Sequence, residues 1–231
     1  MGTVLWEDQV SCVRLKRGGD YAGWRGFEPD YRALRAIEDK VFASAGEPDL
    51  PVSRVRAWYE ANPDIYTLLL TRTAAGAESV AGYLCALPLK RPVFEALRKG
   101  ELEEACIPAD AVEPYHPCRP GLNLYLGGIA LDPELARSSP GGLAEGASLL
   151  IRGWTDLLIE NRRRHGVEVR AFVAVAWSLQ GERISRLFGM RPAGKDPRGR
   201  TLYYLEVEPG AGASLSETTE AVGGAFPASA R

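Results

Sequence analysis

The chain is poor in the residues that build metal sites and disulfide frameworks. Its four cysteines, Cys12, Cys85, Cys106 and Cys118, form no CxxC pair, and its histidines are His116 and His165 alone. Zinc ligands come at short, regular spacings that this pattern does not offer, so no metal is expected. Scattered thiols fit a reducing compartment. An excess of one charge sign is also missing: 28 Lys and Arg stand against 30 Asp and Glu, a formal net charge of −2. Gripping nucleic acid relies on a basic surplus that neutralises phosphates, so that partner is not expected. No apolar run approaches the ~18 residues of a membrane-crossing helix. The opening MGTVLWEDQVSCVRLKRGG has no apolar segment of the secretory kind. A cytoplasmic location with no membrane partner is the expectation. No GxGxxG and no internal repeat occurs, which argues against dinucleotide-binding and solenoid folds.

What the chain does have is apolar content, 45% over 231 residues, enough for one large core. Residues 1–27 read as an N-terminal extension: WEDQVSCVRLKR alternates as an edge strand, and GGDYAGWRGFEPD follows as a loop with buried aromatics. From Asp30, the spacing of Tyr31, Leu34, Ile37, Val41 and Phe42 predicts a helix. Ser53 is placed to cap a second helix, ending near Ala61 before Asn62-Pro63. Ile65–Arg72 and Ser79–Leu89 read as an antiparallel hairpin, with Pro88 making its far end irregular. Residues 90–121 differ in character. RPVFEALRKGELEE is helical, whereas IPADAVEPYHPCRP is punctuated by proline and reads as a long surface excursion, of the kind used as lids or binding elements.

Leu122–Leu131, LNLYLGGIAL, is the central strand. Its Gly127-Gly128 pair inside an apolar run signals a bulge or a close backbone approach. Asp132–Gly142 is a Gly-rich loop opening a helix, Leu143–Arg164, with Leu143, Ala147, Leu150, Ile151, Trp154, Leu157 and Leu158 on its apolar face. Free N–H groups and the helix dipole make such a loop an anion site, with a pyrophosphate-bearing cofactor as its natural guest. Val167–Ala176 then reads as a strand parallel to the first through this crossover helix. A short helix Gly181–Phe188, a last strand Thr201–Val207 and a disordered tail over 209–231 complete the chain. The order is ααββ–excursion–βαβαβ, an α/β-mixed fold with an antiparallel front.

Three blocks, IALDPEL, EGASLLIRG and GERISRLFGMRPAG, resemble in order and spacing those of the GCN5-related N-acetyltransferases, the GNAT superfamily. The resemblance spans residues 28–208. It implies a mixed, mostly antiparallel sheet of six or seven strands flanked by helices, with the central parallel strands splayed apart. Acetyl-CoA or another acyl-CoA then lies in the V. Its pantetheine arm pairs along Ile129, Ala130 and Leu131, and its pyrophosphate meets Gly141, Gly142, Ala144, Gly146 and Ala147. A bulge at the glycine pair turns an N–H towards the thioester carbonyl. The reaction implied is direct attack of a neutral amine on the thioester, and the unidentified amine acceptor belongs to a small molecule or a protein.

The chain departs from the family pattern Gln/Arg-x-x-Gly-x-Gly/Ala. Gly141 stands at the basic or amide position, Ala144 replaces a glycine, and Glu145 brings a carboxylate near the pyrophosphate; Arg137 is placed to bend back and supply the cation. Ser185 occupies the position of a frequent tyrosine acid, and strand four carries no glutamate. The acid–base candidates are therefore Tyr125, Ser185 (through a held water) and His116 (if the excursion covers the acceptor). Tyr125 shares a face with Asn123 and Gly127 and either reaches the cleft or is a buried structural tyrosine. Ser178 is a candidate polar contact near the thioester. Two readings stand, an acyl-CoA-dependent N-acyltransferase and a degenerate GNAT-fold module that binds a ligand or protein without transfer. The exposed helix faces leave room for a homodimer.

Overall fold

The computed structural model describes residues 10–42, 50–73, 76–115, 121–135 and 142–207. Seven strands, β1 (Val10–Arg17), β2 (Tyr66–Thr73), β3 (Glu78–Pro88), β4 (Leu122–Leu131), β5 (Val169–Val175), β6 (Arg191–Lys195) and β7 (Thr201–Glu206), form one sheet. Their order is β1-β2-β3-β4-β5-β7-β6. Every neighbouring pair is antiparallel except β4–β5, which is parallel. This is the mixed, mostly antiparallel sheet that the resemblance implied, with β1 at one edge. Among the described residues five helices flank it: α1 (Gly23–Phe42), α2 (Val52–Ala61), α3 (Arg91–Arg98), α4 (Gly142–His165) and α5 (Leu179–Leu187). Among the described residues no helix is long and apolar enough to cross a membrane.

The sheet is covered on both faces, which is why IYTLLLTR reads as a continuous apolar run and not an alternating one. Leu68 and Leu70 face a core shared with Phe27, Tyr31, Leu34 and Ile37 of α1, Trp58 and Tyr59 of α2, and Phe94 and Leu97 of α3. Leu69 faces the other core, with Leu150, Ile151, Trp154 and Leu157 of α4 and Phe188 just past α5. The parallel β4–β5 pair requires a crossover, and α4 supplies it.

Helix α1 starts seven residues before the expected Asp30. Trp24 and Phe27, in the stretch expected as a loop, continue the buried stripe of Tyr31, Leu34 and Ile37. Its glycines and Pro29 masked the period: Pro29 removes one internal hydrogen bond, and aromatic burial outweighs that loss. The Phe27 and Tyr59 rings stack at 4.5 Å with an interplanar angle of 7°, and the Tyr59 hydroxyl donates to the Gly18 carbonyl at 2.7 Å. Ser53 does not cap α2. Pro51 holds the cap position, and Ser53 falls inside the helix. The last helix begins at Leu179, not Gly181, because Ser178 caps it.

The described part of the expected surface excursion is an integral packing element. Leu89 bridges to Val112. Ile107 is fully buried, and its carbonyl accepts from the Trp58 indole at 3.0 Å and from Arg54 at 2.8 Å. The Tyr115 hydroxyl donates to the Ala86 carbonyl at 3.0 Å. Gly100 has φ +72, and a Cβ there would collide with the Lys195 carbonyl oxygen, so the β6–β7 hairpin closes onto this insertion. Proline spacing hid these contacts, since proline shapes a chain without revealing whether that chain is covered. The expected disordered tail, 209–231, lies outside the described residues.

Replacing Phe27 with alanine empties the centre of the aromatic cluster. Phe27→Ala is expected to lower unfolding free energy by about 3–5 kcal/mol, measured by urea denaturation; a loss below about 1 kcal/mol would contradict the packing described.

Candidate active site

The site is built by an early end to strand pairing. β4 and β5 pair from Leu122↔Val169, through one register shift before Asn123↔Ala171, to Leu126↔Ala174, and no further. On its other edge β4 remains paired with β3 as far as Leu131↔Gly82. Gly127–Leu131 therefore has a strand partner on one side only among the described residues. An unpaired edge of this kind presents backbone N–H and C=O groups to whatever enters the gap. The β3–β4 register shifts at the same level: Cys85 pairs with Gly128, Ala86 with Leu126, and Gly127 is the extra residue. The glycine pair is thus a bulge, as its sequence signalled.

The bulge turns both glycines towards the face covered by α1 and the insertion. A Cβ on Gly127 would lie 3.1 Å from Glu104 Oε1, and one on Gly128 would lie 3.0 Å from the Tyr83 hydroxyl. Glu104 opens a short helical turn, Glu104–Cys106, in the insertion. It accepts a hydrogen bond from the Tyr125 hydroxyl at 3.0 Å. Glu38, on α1, accepts from the Tyr83 hydroxyl at 2.6 Å and from Arg35 at 2.7 Å. Two tyrosine–carboxylate pairs thus flank the bulge.

Burial sets the proton affinities. It raises the Glu38 carboxyl above the usual carboxylate range, against the opposing hydrogen bond from Tyr83 and charge of Arg35. Burial, then the facing carboxylates, push the Tyr83 and Tyr125 phenols well up. The Cys85 thiol rises through burial and the charge of Glu104, with Glu38 adding to it. None of these three groups ionises near neutral pH.

The β6–β7 turn fixes the insertion from outside. Arg198 donates to Glu103 at 2.9 Å, one residue before Glu104. The Arg200 guanidinium lies 3.3 Å over the Trp177 ring and pairs with the buried Asp196. Burial raises the Asp196 carboxyl, but hydrogen bonds from Arg200 and from backbone N–H groups outweigh that and hold it below the usual range.

The residues expected from sequence are distributed unevenly. Tyr125 is buried at the bulge with its hydroxyl on Glu104. Ile129, Ala130 and Leu131 lie on the one-sided part of β4. Gly142 and Ala144 fall in the first turn of α4, where Glu145 is exposed. Gly146 seats that helix, since a Cβ there would lie 3.1 Å from Leu131, Leu135 and Leu69, and Ala147 is buried beside it. Ser178 accepts from the Gly181 N–H at 3.1 Å as the cap of α5. Ser185 is buried within α5, whose Ile184 and Leu187 pack into the α4-side core, whereas Tyr125 faces the α1-side core. His116, Arg137 and Gly141 lie outside the described residues. Glu104 and Glu38 were not legible as site residues. The one signal was indirect, a glycine where a strand carboxylate was missing, together with the acidic run GELEE nearby.

Glu38 gives a stability test. A carboxyl whose folded-state pKa is raised binds its proton more tightly folded than unfolded. Its stabilising contribution is therefore full below the unfolded value, near pH 4.5, and is lost as pH rises through the raised folded value. Glu38→Gln is expected to remove that loss, so the variant gains stability relative to the parent between pH 4 and pH 8 in urea titrations. A pH-independent difference would contradict it.

No protein-family model matches the chain, and no curated protein matches it in sequence. Solved structures do. The NatC complex bound to Gag peptide and CoA matches at 10% identity and TM-score 0.50, over 85% of this chain and 99% of that one. A GNAT-family acetyltransferase from Listeria monocytogenes matches at 15% identity and TM-score 0.47, over 85% and 94%. A mosquito arylalkylamine N-acetyltransferase-like protein matches at 12% and 0.48, over 85% and 100%. With one parallel pair parting in the middle of an otherwise antiparallel seven-stranded sheet, this chain has the fold of the GNAT-superfamily acetyltransferases.

Proposed function

We propose that the protein is an acyl-CoA-dependent N-acyltransferase that passes an acyl group, acetyl first among them, to an amine of a small molecule or protein. The carrying observation is the one-sided stretch Gly127–Leu131 of β4. An acyl-CoA brings a thioester on an arm with two amide groups, and such an arm can pair along an open strand edge as an added strand does. Ile129, Ala130 and Leu131 would hold it there. The first turn of α4, with Gly142 and Ala144, follows where a helix N-terminus favours a pyrophosphate, Gly146 and Ala147 seat that turn against the sheet, and Arg137 would add the cation. The bulge at Gly127 frees backbone that can donate to a developing oxyanion. Ser178 and Ser185 remain polar candidates on the α5 side, and His116 is a candidate base if its loop covers the acceptor. The amine enters from the face of α1 and the insertion, in a ternary complex. The free thiols Cys85 and Cys106 agree with a cytoplasmic setting.

The competing reading is a GNAT-fold module that binds without transfer, and the complete burial of the Tyr125 phenol favours it. Calorimetry with acetyl-CoA and free CoA, followed by thiol release on adding primary amines, separates the two. The transferase reading expects micromolar binding and release. Binding without release supports the module, and no binding of either compound contradicts the proposal. Arg137→Ala is expected to weaken acetyl-CoA roughly tenfold or more, the worth of one charge-assisted hydrogen bond of about 1.5–3 kcal/mol.

A further inference from the structure

We infer that Glu104, carried on the insertion and not on the sheet, is the proton acceptor for the amine, standing in space where a carboxylate on β4 would stand. This rests on the acyltransferase reading. Gly127 makes the space for that carboxylate. It is the extra residue of the bulge, at the level where β4 and β5 part. Its missing side chain leaves room that the insertion fills, with Glu104 Oε1 3.1 Å from the Cβ position. The other oxygen, Oε2, accepts from Tyr125 at 3.0 Å, which fixes the carboxylate plane. The neighbours in the cluster serve this role poorly. Tyr125 from β4 and Cys85 from β3 are fully buried neutral acids, with the Arg200 charge acting on Tyr125 from the β6–β7 turn. Glu38 on α1 is shared between Tyr83 and Arg35. The Arg198–Glu103 ion pair holds the adjoining residue.

The step balances without another reactant. The amine nitrogen bonds to the thioester carbonyl carbon, and the carbon–sulfur bond breaks with its electron pair leaving on sulfur. Glu104 takes one proton from the ammonium to give the attacking amine, the second proton on nitrogen of the adduct ends on the leaving sulfur as a thiol, and Glu104 returns its proton to solvent. The products are an amide and free CoA. A carboxylate in this place also makes a primary amine, cationic in water, the matching acceptor class.

The test uses the full chain with acetyl-CoA and three probe amines, phenethylamine, spermidine and a peptide with a free N-terminus. Glu104→Gln is expected to keep acetyl-CoA affinity within about twofold while transfer falls roughly 100-fold, the lower range for a positioned base. A second variant separates chemistry from structure. In Glu104→Ala with Gly127→Glu the carboxylate moves from insertion to strand, and removing the Glu104 side chain clears the 3.1 Å contact. This double variant is expected to recover at least tenfold over Glu104→Ala alone. Transfer by Glu104→Gln within threefold of the parent overturns the inference and leaves the acyltransferase reading intact. Failure of the parent chain to bind acetyl-CoA overturns both.

Discussion

The parting of β4 from β5 beyond Leu126 and Ala174 is the constraint on which the rest of the structure depends. A central strand normally satisfies its backbone groups on both edges. Here β4 keeps β3 along its length and loses β5 halfway. Unpaired backbone in mid-sheet is costly unless something meets it, and the proposed cofactor arm would bring the hydrogen-bonding groups to meet it. The bulge at Gly127 belongs to the same constraint: it changes the twist of β4 where the strands separate and turns two glycines to one face.

That geometry holds only because each face of the sheet is braced. On one side the stripe Trp24–Ile37 of α1 and the aromatic pair Phe27–Tyr59 fix the front hairpin. On the other, Trp154 meets Phe172 and Phe188 edge-on and ties α4 to β5 and the end of α5. The insertion is gripped from three directions, by Arg54 and Trp58 on α2, by the Leu89–Val112 bridge, and by Arg198 on Glu103. A glutamate carried on such a segment is as firmly placed as one on a strand. This explains how a strand with no carboxylate can still have one beside it.

Much of this was legible from residue order. The strand Leu122–Leu131 kept its expected bounds, and Gly127-Gly128 in an apolar run correctly signalled a bulge, because a glycine pair there gives up side-chain packing for close approach to the backbone. The crossover helix and the parallel pair followed from the apolar run of β5. Where the reading failed, tertiary contacts decided. The start of α1 was hidden by glycines and Pro29, whose local cost is outweighed by burial of Trp24 and Phe27. Ser53 has the chemistry of a cap, but the helix starts two residues too early for it, and Pro51 takes the position. The insertion was misread because prolines mark irregular backbone and say nothing of its burial. Glu104 and Glu38 escaped notice for a deeper reason: they lie on separate segments far from β4 in sequence, and only the fold brings them to Gly127 and Gly128.

The central claim is that the open edge of β4 receives the arm of an acyl-CoA. Amide hydrogen exchange of the full chain, with and without saturating acetyl-CoA, tests it most directly. The account expects slowed exchange at Gly127–Leu131, with the β1–β2 hairpin unchanged. Exchange at Gly127–Leu131 that stays the same while acetyl-CoA is bound would contradict it.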